Sequence, residues 1–65
     1  MTLLKDEIKR LELEKKKLIK EMEKLEDKKS KNEISEADYQ IEKNKIERQI
    51  VEVMDHLVQY RFLKG

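Results

Sequence analysis

The sequence contains no cysteine and no proline, and its single glycine is residue 65. Without cysteine, the chain has no disulfide and no thiolate ligand for a metal ion. One histidine, His56, does not supply a zinc site of the common kinds. A chain of 65 residues buries only about 60% of its unfolded surface, so a domain of this size needs reinforcement. Because neither a disulfide nor a zinc site stabilises the chain, we expect association with another chain to do so.

Catalytic and membrane signatures are also missing. Ser30 and Ser35 have no histidine nearby in sequence, and Glu52-x-x-x-His56 is the nearest approach to a paired metal motif. A chain with one glycine cannot form a glycine-rich phosphate loop. No stretch reaches the ~20 apolar residues of a membrane span, and the opening MTLLKDEIKR lacks the apolar core of a signal peptide. We therefore expect a cytoplasmic protein that is not an enzyme, with no cofactor, no metal and no segment that spans a membrane.

What the sequence does contain is charge combined with helix-forming residues. Charged residues make up 48% of the chain and apolar residues 37%, yet the net charge is only +1. Leu, Lys, Glu, Ile and Met dominate, which is typical of long helices and coiled coils. The abundance of Lys and Glu also resembles the composition of hyperthermophile proteins. The composition predicts an all-α protein and argues against disorder, because the apolar residues are regularly spaced.

Two heptad seams run along the chain. In the first half, apolar residues follow each other at spacings of four and three, with Lys15 at the one polar position; they are Leu4, Ile8, Leu11, Leu18, Met22 and Leu25. The second half repeats the pattern around Lys43, with Tyr39, Ile46, Ile50, Val53, Leu57 and Tyr60. Each seam predicts an amphipathic helix of roughly 25 residues that packs as in a coiled coil.

The segment between the seams allows two structures. One continuous coiled-coil helix is possible, because the heptad phase is unbroken, but its seam would place Lys29, Asn32 and Glu36 in consecutive layers. The other structure is an antiparallel hairpin centred on Asn32. Ser35 followed by Asp38 is a near capping box, and Ile34 and Tyr39 have the spacing of a hydrophobic staple around it. The acidic residues after Ser35 and the lysines before Asn32 also suit the dipoles of two separate helices.

The hairpin is the preferred interpretation. It makes one domain of residues 1–65, with helix 1 at about 3–29, a turn at about 30–35 and helix 2 at about 36–63. Residues 1–32 hold 11 basic and 8 acidic residues and residues 33–65 hold 5 and 7, so the halves carry charges of +3 and −2. Folding them together places opposite signs side by side. With Asn32 as the centre, the sequence numbers of two facing residues add up to about 64. The predicted pairs are Leu25–Tyr39, Leu18–Ile46, Leu11–Val53 and Leu4–Tyr60.

The end of helix 2 is apolar almost all round, which requires burial on more than one side. We expect a surface there for self-association or for a partner, formed by Leu3, Leu4, Ile8, Val51, Met54, Leu57, Val58, Phe62 and Leu63. A second copy, giving a homodimeric four-helix bundle, is the simplest occupant. A helix of a partner protein is the main alternative, and contact of the tip with lipid is a third. The sequence thus predicts a non-enzymatic interaction or oligomerisation module that acts through helix packing.

A row of lysines suggests a different function. Lys16, Lys20, Lys24 and Lys28 are spaced four apart on the first helix, and such a row could follow the phosphates of a nucleic acid. Acidic residues are interspersed among them, and no aromatic residue in the row could stack on a base. A nucleic-acid-associated accessory protein is therefore the alternative hypothesis.

Overall fold

The computed structural model describes the backbone of residues 2–64 and the side chains of residues 4–63. It contains two helices, α1 (Thr2–Ser30) and α2 (Glu36–Lys64), which pack against each other over their length. The molecule measures 47 × 14 × 13 Å, which is one helix long and two helices wide. This confirms the predicted all-α hairpin and rules out a continuous helix. The helix bounds differ by at most one residue from the predicted ones.

Asn32 breaks the helix without help from glycine or proline. Its φ of 58° lies in the left-handed region, which asparagine tolerates better than most residues. The Glu33 N–H donates to the Lys28 carbonyl at 2.9 Å, and the Asn32 N–H donates to the Lys29 carbonyl at 3.1 Å. These two bonds form a Schellman motif, which satisfies the last carbonyls of α1 and reverses the chain.

Ser35 starts α2 as its N-cap. Its Oγ accepts a hydrogen bond from the Asp38 N–H at 3.2 Å, and its carbonyl accepts the first helical bond from the Tyr39 N–H at 2.9 Å. Ile34 packs against the core cluster that contains Tyr39, as a hydrophobic staple does. Glu36 and Asp38 place negative charge in the first turn of α2, where the helix dipole favours it. The predicted cap and staple are therefore confirmed.

The core consists of two clusters along the seam between the helices. The cluster near the turn contains Leu25, Tyr39 and Ile46, and the cluster near the open end contains Leu11, Leu18, Val53 and Leu57. Half-buried Ile50 packs against both clusters and joins them. Lys15 and Lys43 are also half-buried at the two seam positions that lack an apolar residue. Such positions let a lysine lay its stem along the core and keep its amine in water.

The helix register differs from the predicted one. Leu25 shares a cluster with Tyr39, and Leu11 shares one with Val53, as predicted, but Leu18 and Ile46 lie in different clusters. Contacts across the seam indicate a larger offset. The Lys29 ammonium lies over the Tyr39 ring, and Ile50 packs against the cluster that contains Leu18, so the sequence numbers of these pairs sum to 68 rather than 64.

Candidate interaction surface

Four apolar side chains form a continuous stripe along one side of α2. They are Val51, Met54, Val58 and Phe62, which we call the apolar stripe, and their exposed fractions are 65%, 45%, 66% and 84%. Spacings of three and four keep them on one face of a helix. Apolar side chains scattered over a surface are ordinary, but a contiguous row of this kind indicates a contact surface.

The stripe is exposed because of where the seam lies. Ile50, Val53 and Leu57 point toward α1 and are buried or half-buried. Val51, Met54 and Val58 each follow one of these by a single residue, which turns the side chain by about 100° around the helix. A lone partner helix covers only one side of α2, so the stripe stays in solvent within the hairpin.

The structure places the predicted interface residues in different surroundings. Val51, Met54, Val58 and Phe62 lie together on the stripe, as described above. Leu63 is exposed beside it and lines a shallow depression at the tip with Val58, Gln59 and Phe62. Leu4 and Ile8 are half-buried, and Ile8 packs against the open-end core cluster. The side chain of Leu3 lies outside the described residues.

Leu57, one of the predicted interface residues, is buried within the hairpin. Only 4% of its surface is exposed, because it packs in the open-end core cluster with Leu11, Leu18 and Val53. The same residue cannot fill the seam and also present its side chain to a second molecule. The sequence pattern assigned it to both because the seam and the outer surface adjoin at this position.

One residue of α1 that the sequence reasoning missed lies on the same flank. The Arg61 guanidinium and the Glu12 carboxylate form an ion pair across the helices with an N···O distance of 2.7 Å. Seven residues closer to the turn, Ile19 lies on α1 and Met54 on α2, and both are partly exposed. Ile19 follows the seam residue Leu18, as Met54 follows Val53, and this one-residue offset is the signal that could have identified it.

The side of the hairpin that carries Glu12, Ile19 and the apolar stripe, which we call the flank, is acidic near the turn. One heptad further toward the turn lie Glu26 and Glu47. The Tyr39 hydroxyl donates a hydrogen bond to the Glu26 carboxylate, and that bond raises the pKa of Tyr39 above its ordinary value. Burial of the ring and the negative charges of Glu26 and Glu47 raise this pKa further. The Lys29 ammonium lies 4.6 Å from the centroid of the Tyr39 ring and also pairs with Glu36.

The lysine row lies on the outer face of α1. All four of its side chains are exposed, and their spacing of four makes them neighbours on one face of the helix. Carboxylates interrupt the row, and the Lys31 ammonium pairs with Asp27 at 3.0 Å just beyond Lys28. The row is therefore a solvated surface of mixed charge, of which the lysines form the largest part.

Other kinds of site find little support in the part of the chain that the structure describes. Over these residues, no three His, Asp or Glu side chains converge in a way that could hold a metal ion. Neither helix, over the same residues, has a stretch long and apolar enough to cross a membrane. Glu52 and His56 are both exposed on α2.

Comparisons with known proteins add no functional information. No protein-family model matches the chain, and neither the curated proteins nor the solved structures contain a significant match. The functional argument therefore depends on the surface itself.

Proposed function

We propose that the chain is a non-enzymatic helical module that binds a second copy of itself through the apolar stripe. Two hairpins joined in this way form a four-helix bundle around their open ends, in the cytoplasm. The observation that carries the proposal is the exposure of a continuous row of Val51, Met54, Val58 and Phe62 beside a small core. A self-complementary contact about a two-fold axis buries such a row in both copies at once.

The magnitudes favour association. Fully burying one such side chain contributes ~1.5–3 kcal/mol, so the surface still exposed on four of them represents roughly 4–8 kcal/mol per copy. That is comparable with the whole stability expected for 65 residues, about 3–10 kcal/mol. Association itself costs ~4–15 kcal/mol in lost freedom of movement. The balance is favourable only if most of the stripe is buried in both copies, so the loss of two side chains should prevent association.

The solution mass tests the proposal. The wild-type protein should have twice the chain mass of 7.9 kDa in sedimentation equilibrium or light scattering. Val58→Lys together with Phe62→Lys should give a monomer that has lost much of its helical circular dichroism, because a lone hairpin has little core. Val58→Lys alone should weaken the dimer measurably.

Ile41→Lys is the matched control. Ile41 is an apolar residue of the same helix with nearly the same exposed fraction, 62% against 66% for Val58, but it lies in the half of α2 near the turn, away from the stripe. We expect this variant to remain dimeric. A wild-type protein that is a stable, folded monomer would reject self-association, and the stripe would then be a docking site for the helix of another protein.

The exposed lysine row supports a second proposal, a nucleic-acid-associated accessory protein. If it is correct, the protein should bind duplex or single strands with an affinity that falls steeply with salt. Replacing Lys16, Lys20 and Lys24 with glutamine should then abolish that binding. If the first proposal is correct, the same triple variant should keep the dimer and nearly all of its stability, because exposed charges contribute little.

A further inference from the structure

The flank that carries the stripe differs between its two halves. Toward the open end it is apolar, from Val51 to Phe62. Toward the turn it carries Glu26 and Glu47, and both carboxylates are close enough to Tyr39 to act on its hydroxyl. The Lys29 and Lys43 ammonium groups lie 4.6 and 5.7 Å from the centroid of the Tyr39 ring, but Lys29 pairs with Glu36, so three carboxylates face two ammonium groups at this level. This difference between the halves bears on how a second copy can approach.

If the two-fold axis were parallel to the helices, the turns of both copies would lie at the same end. Each residue of the stripe would then meet the same residue of the second copy. Glu47 would meet Glu47 of the second copy, and both Glu26 carboxylates would lie at the same level. Four carboxylates would share one level of the bundle, in which neighbouring helices lie ~8–10 Å apart, comparable with the screening length of about 8 Å. Like charges at such separations oppose association.

If the axis is instead perpendicular to the helices, the stripes meet in opposite directions. Their midpoint lies near residue 56, so Met54 of one copy packs against Val58 of the other. Glu47 is nine residues from this midpoint, because 56 − 47 = 9, and the two Glu47 side chains are ~27 Å apart along the axis at ~1.5 Å per residue. That is more than three screening lengths at physiological salt.

The perpendicular arrangement also places opposite charges near each other. With the midpoint at residue 56, Arg61 of one copy is level with Val51 of the other, because 61 + 51 = 112. Glu47 is one helical turn from Val51 on the same face. The Arg61 guanidinium, which pairs with Glu12 of its own copy, therefore also approaches the acidic half of the other copy, and this places a cation between carboxylates.

We propose that two copies pack antiparallel through α2, with the apolar stripes face to face and the two turns directed to opposite ends of an elongated dimer. Ile19 of each copy lies at the edge of this contact. The proposal rests on the proposed self-association, which it extends by fixing the orientation of the second copy.

Distances between spin labels on the two copies test the orientation. The chain has no cysteine, so one introduced cysteine gives one label per copy. Ser30→Cys places the label at the exposed end of α1 next to the turn. In the antiparallel dimer the two labels should be about 55 Å apart, whereas turns at the same end would place them at roughly 20 Å. Glu52→Cys, exposed near the middle of the contact, should give a short distance in either arrangement and serves as the control.

The outcomes separate the two proposals. A long Ser30 distance with a short Glu52 distance, both lost when labelled chain is diluted with unlabelled chain, supports the antiparallel dimer. A short distance at both positions overturns the orientation but leaves self-association intact. No intermolecular distance at either position, together with the mass of a monomer, means that the proposed function has failed and the orientation with it.

Discussion

The clearest test of the hairpin core compares two leucines of α1. Leu18 has 3% of its surface exposed and lies in the open-end core cluster, whereas Leu13 is 60% exposed on the outer face of the same helix. Replacing a buried leucine with alanine removes the contacts of its side chain and leaves a cavity, at a cost of ~2–5 kcal/mol. At Leu13 the same change removes side-chain surface that is mostly in water, and the better helix propensity of alanine offsets part of the loss. We expect less than about 1 kcal/mol there.

Urea denaturation followed by far-UV circular dichroism measures the difference. For a chain of this size, with a slope near ~1 kcal/mol per M, Leu18→Ala should lower the midpoint by about 2 M or more, while Leu13→Ala should shift it by less than 1 M. All proteins must be compared at one chain concentration, because the stability of a dimer depends on concentration. If Leu18→Ala does not fold at all, Leu18→Met should give a measurable smaller shift, since it nearly conserves volume. Equal midpoints for the two alanine variants would refute the assignment of Leu18 to the core.

Two further predictions concern the turn end of the hairpin. In a Tyr60→Phe variant, Tyr39 is the remaining tyrosine, and its tyrosinate absorbance should appear with a midpoint pH above the ordinary pKa of 10.0. Glu26→Gln should lower that midpoint pH. A midpoint at or below 10.0 would contradict the hydrogen bond to Glu26. Because the pKa of Tyr39 is raised in the folded state, the contribution of its hydroxyl to stability is complete below about pH 10 and is lost as the pH rises through the folded-state pKa. The Tyr39→Phe variant should therefore lose less stability than the wild-type protein in that pH range. Asn32→Ala should destabilise the hairpin by ~1–2 kcal/mol in thermal or urea unfolding, because the left-handed conformation is strained for alanine. Asn32→Gly should be neutral or stabilising, because glycine adopts this conformation without strain. A similar loss in both Asn32 variants would show that backbone conformation is not the cause.

Much of the fold could be predicted because local and long-range signals agree. The two seams specify helices, and the lysines and acids around Asn32 specify where one ends and the next begins. Ser35 and Ile34 act as predicted because capping and stapling depend on residues within one turn of each other. The left-handed conformation lies at Asn32 and not at a glycine, which is the usual sequence signal for it, although asparagine also tolerates this conformation.

The details of the surface were harder to predict because they depend on register. A shift of a few residues in register changes every facing pair, and Leu18 and Ile46 accordingly lie in different clusters. Leu57 was assigned to both the seam and the interface because a sequence pattern does not show how far one partner helix covers its neighbour. Ile19 was missed because it belongs to α1, while the conspicuous apolar run lies in α2.

The contacts of the turn also have a consequence for how the chain folds. Tyr39 and Glu26 are only 13 residues apart in sequence, so closing the loop between them costs little entropy. The Schellman motif, the Ser35 cap and the Tyr39 contacts all form within this short segment. Folding can therefore start at the turn and proceed along the seam, as a zipper closes, at the high rates typical of chains with local contacts. We therefore expect the open end, where the stripe lies, to close last within each hairpin.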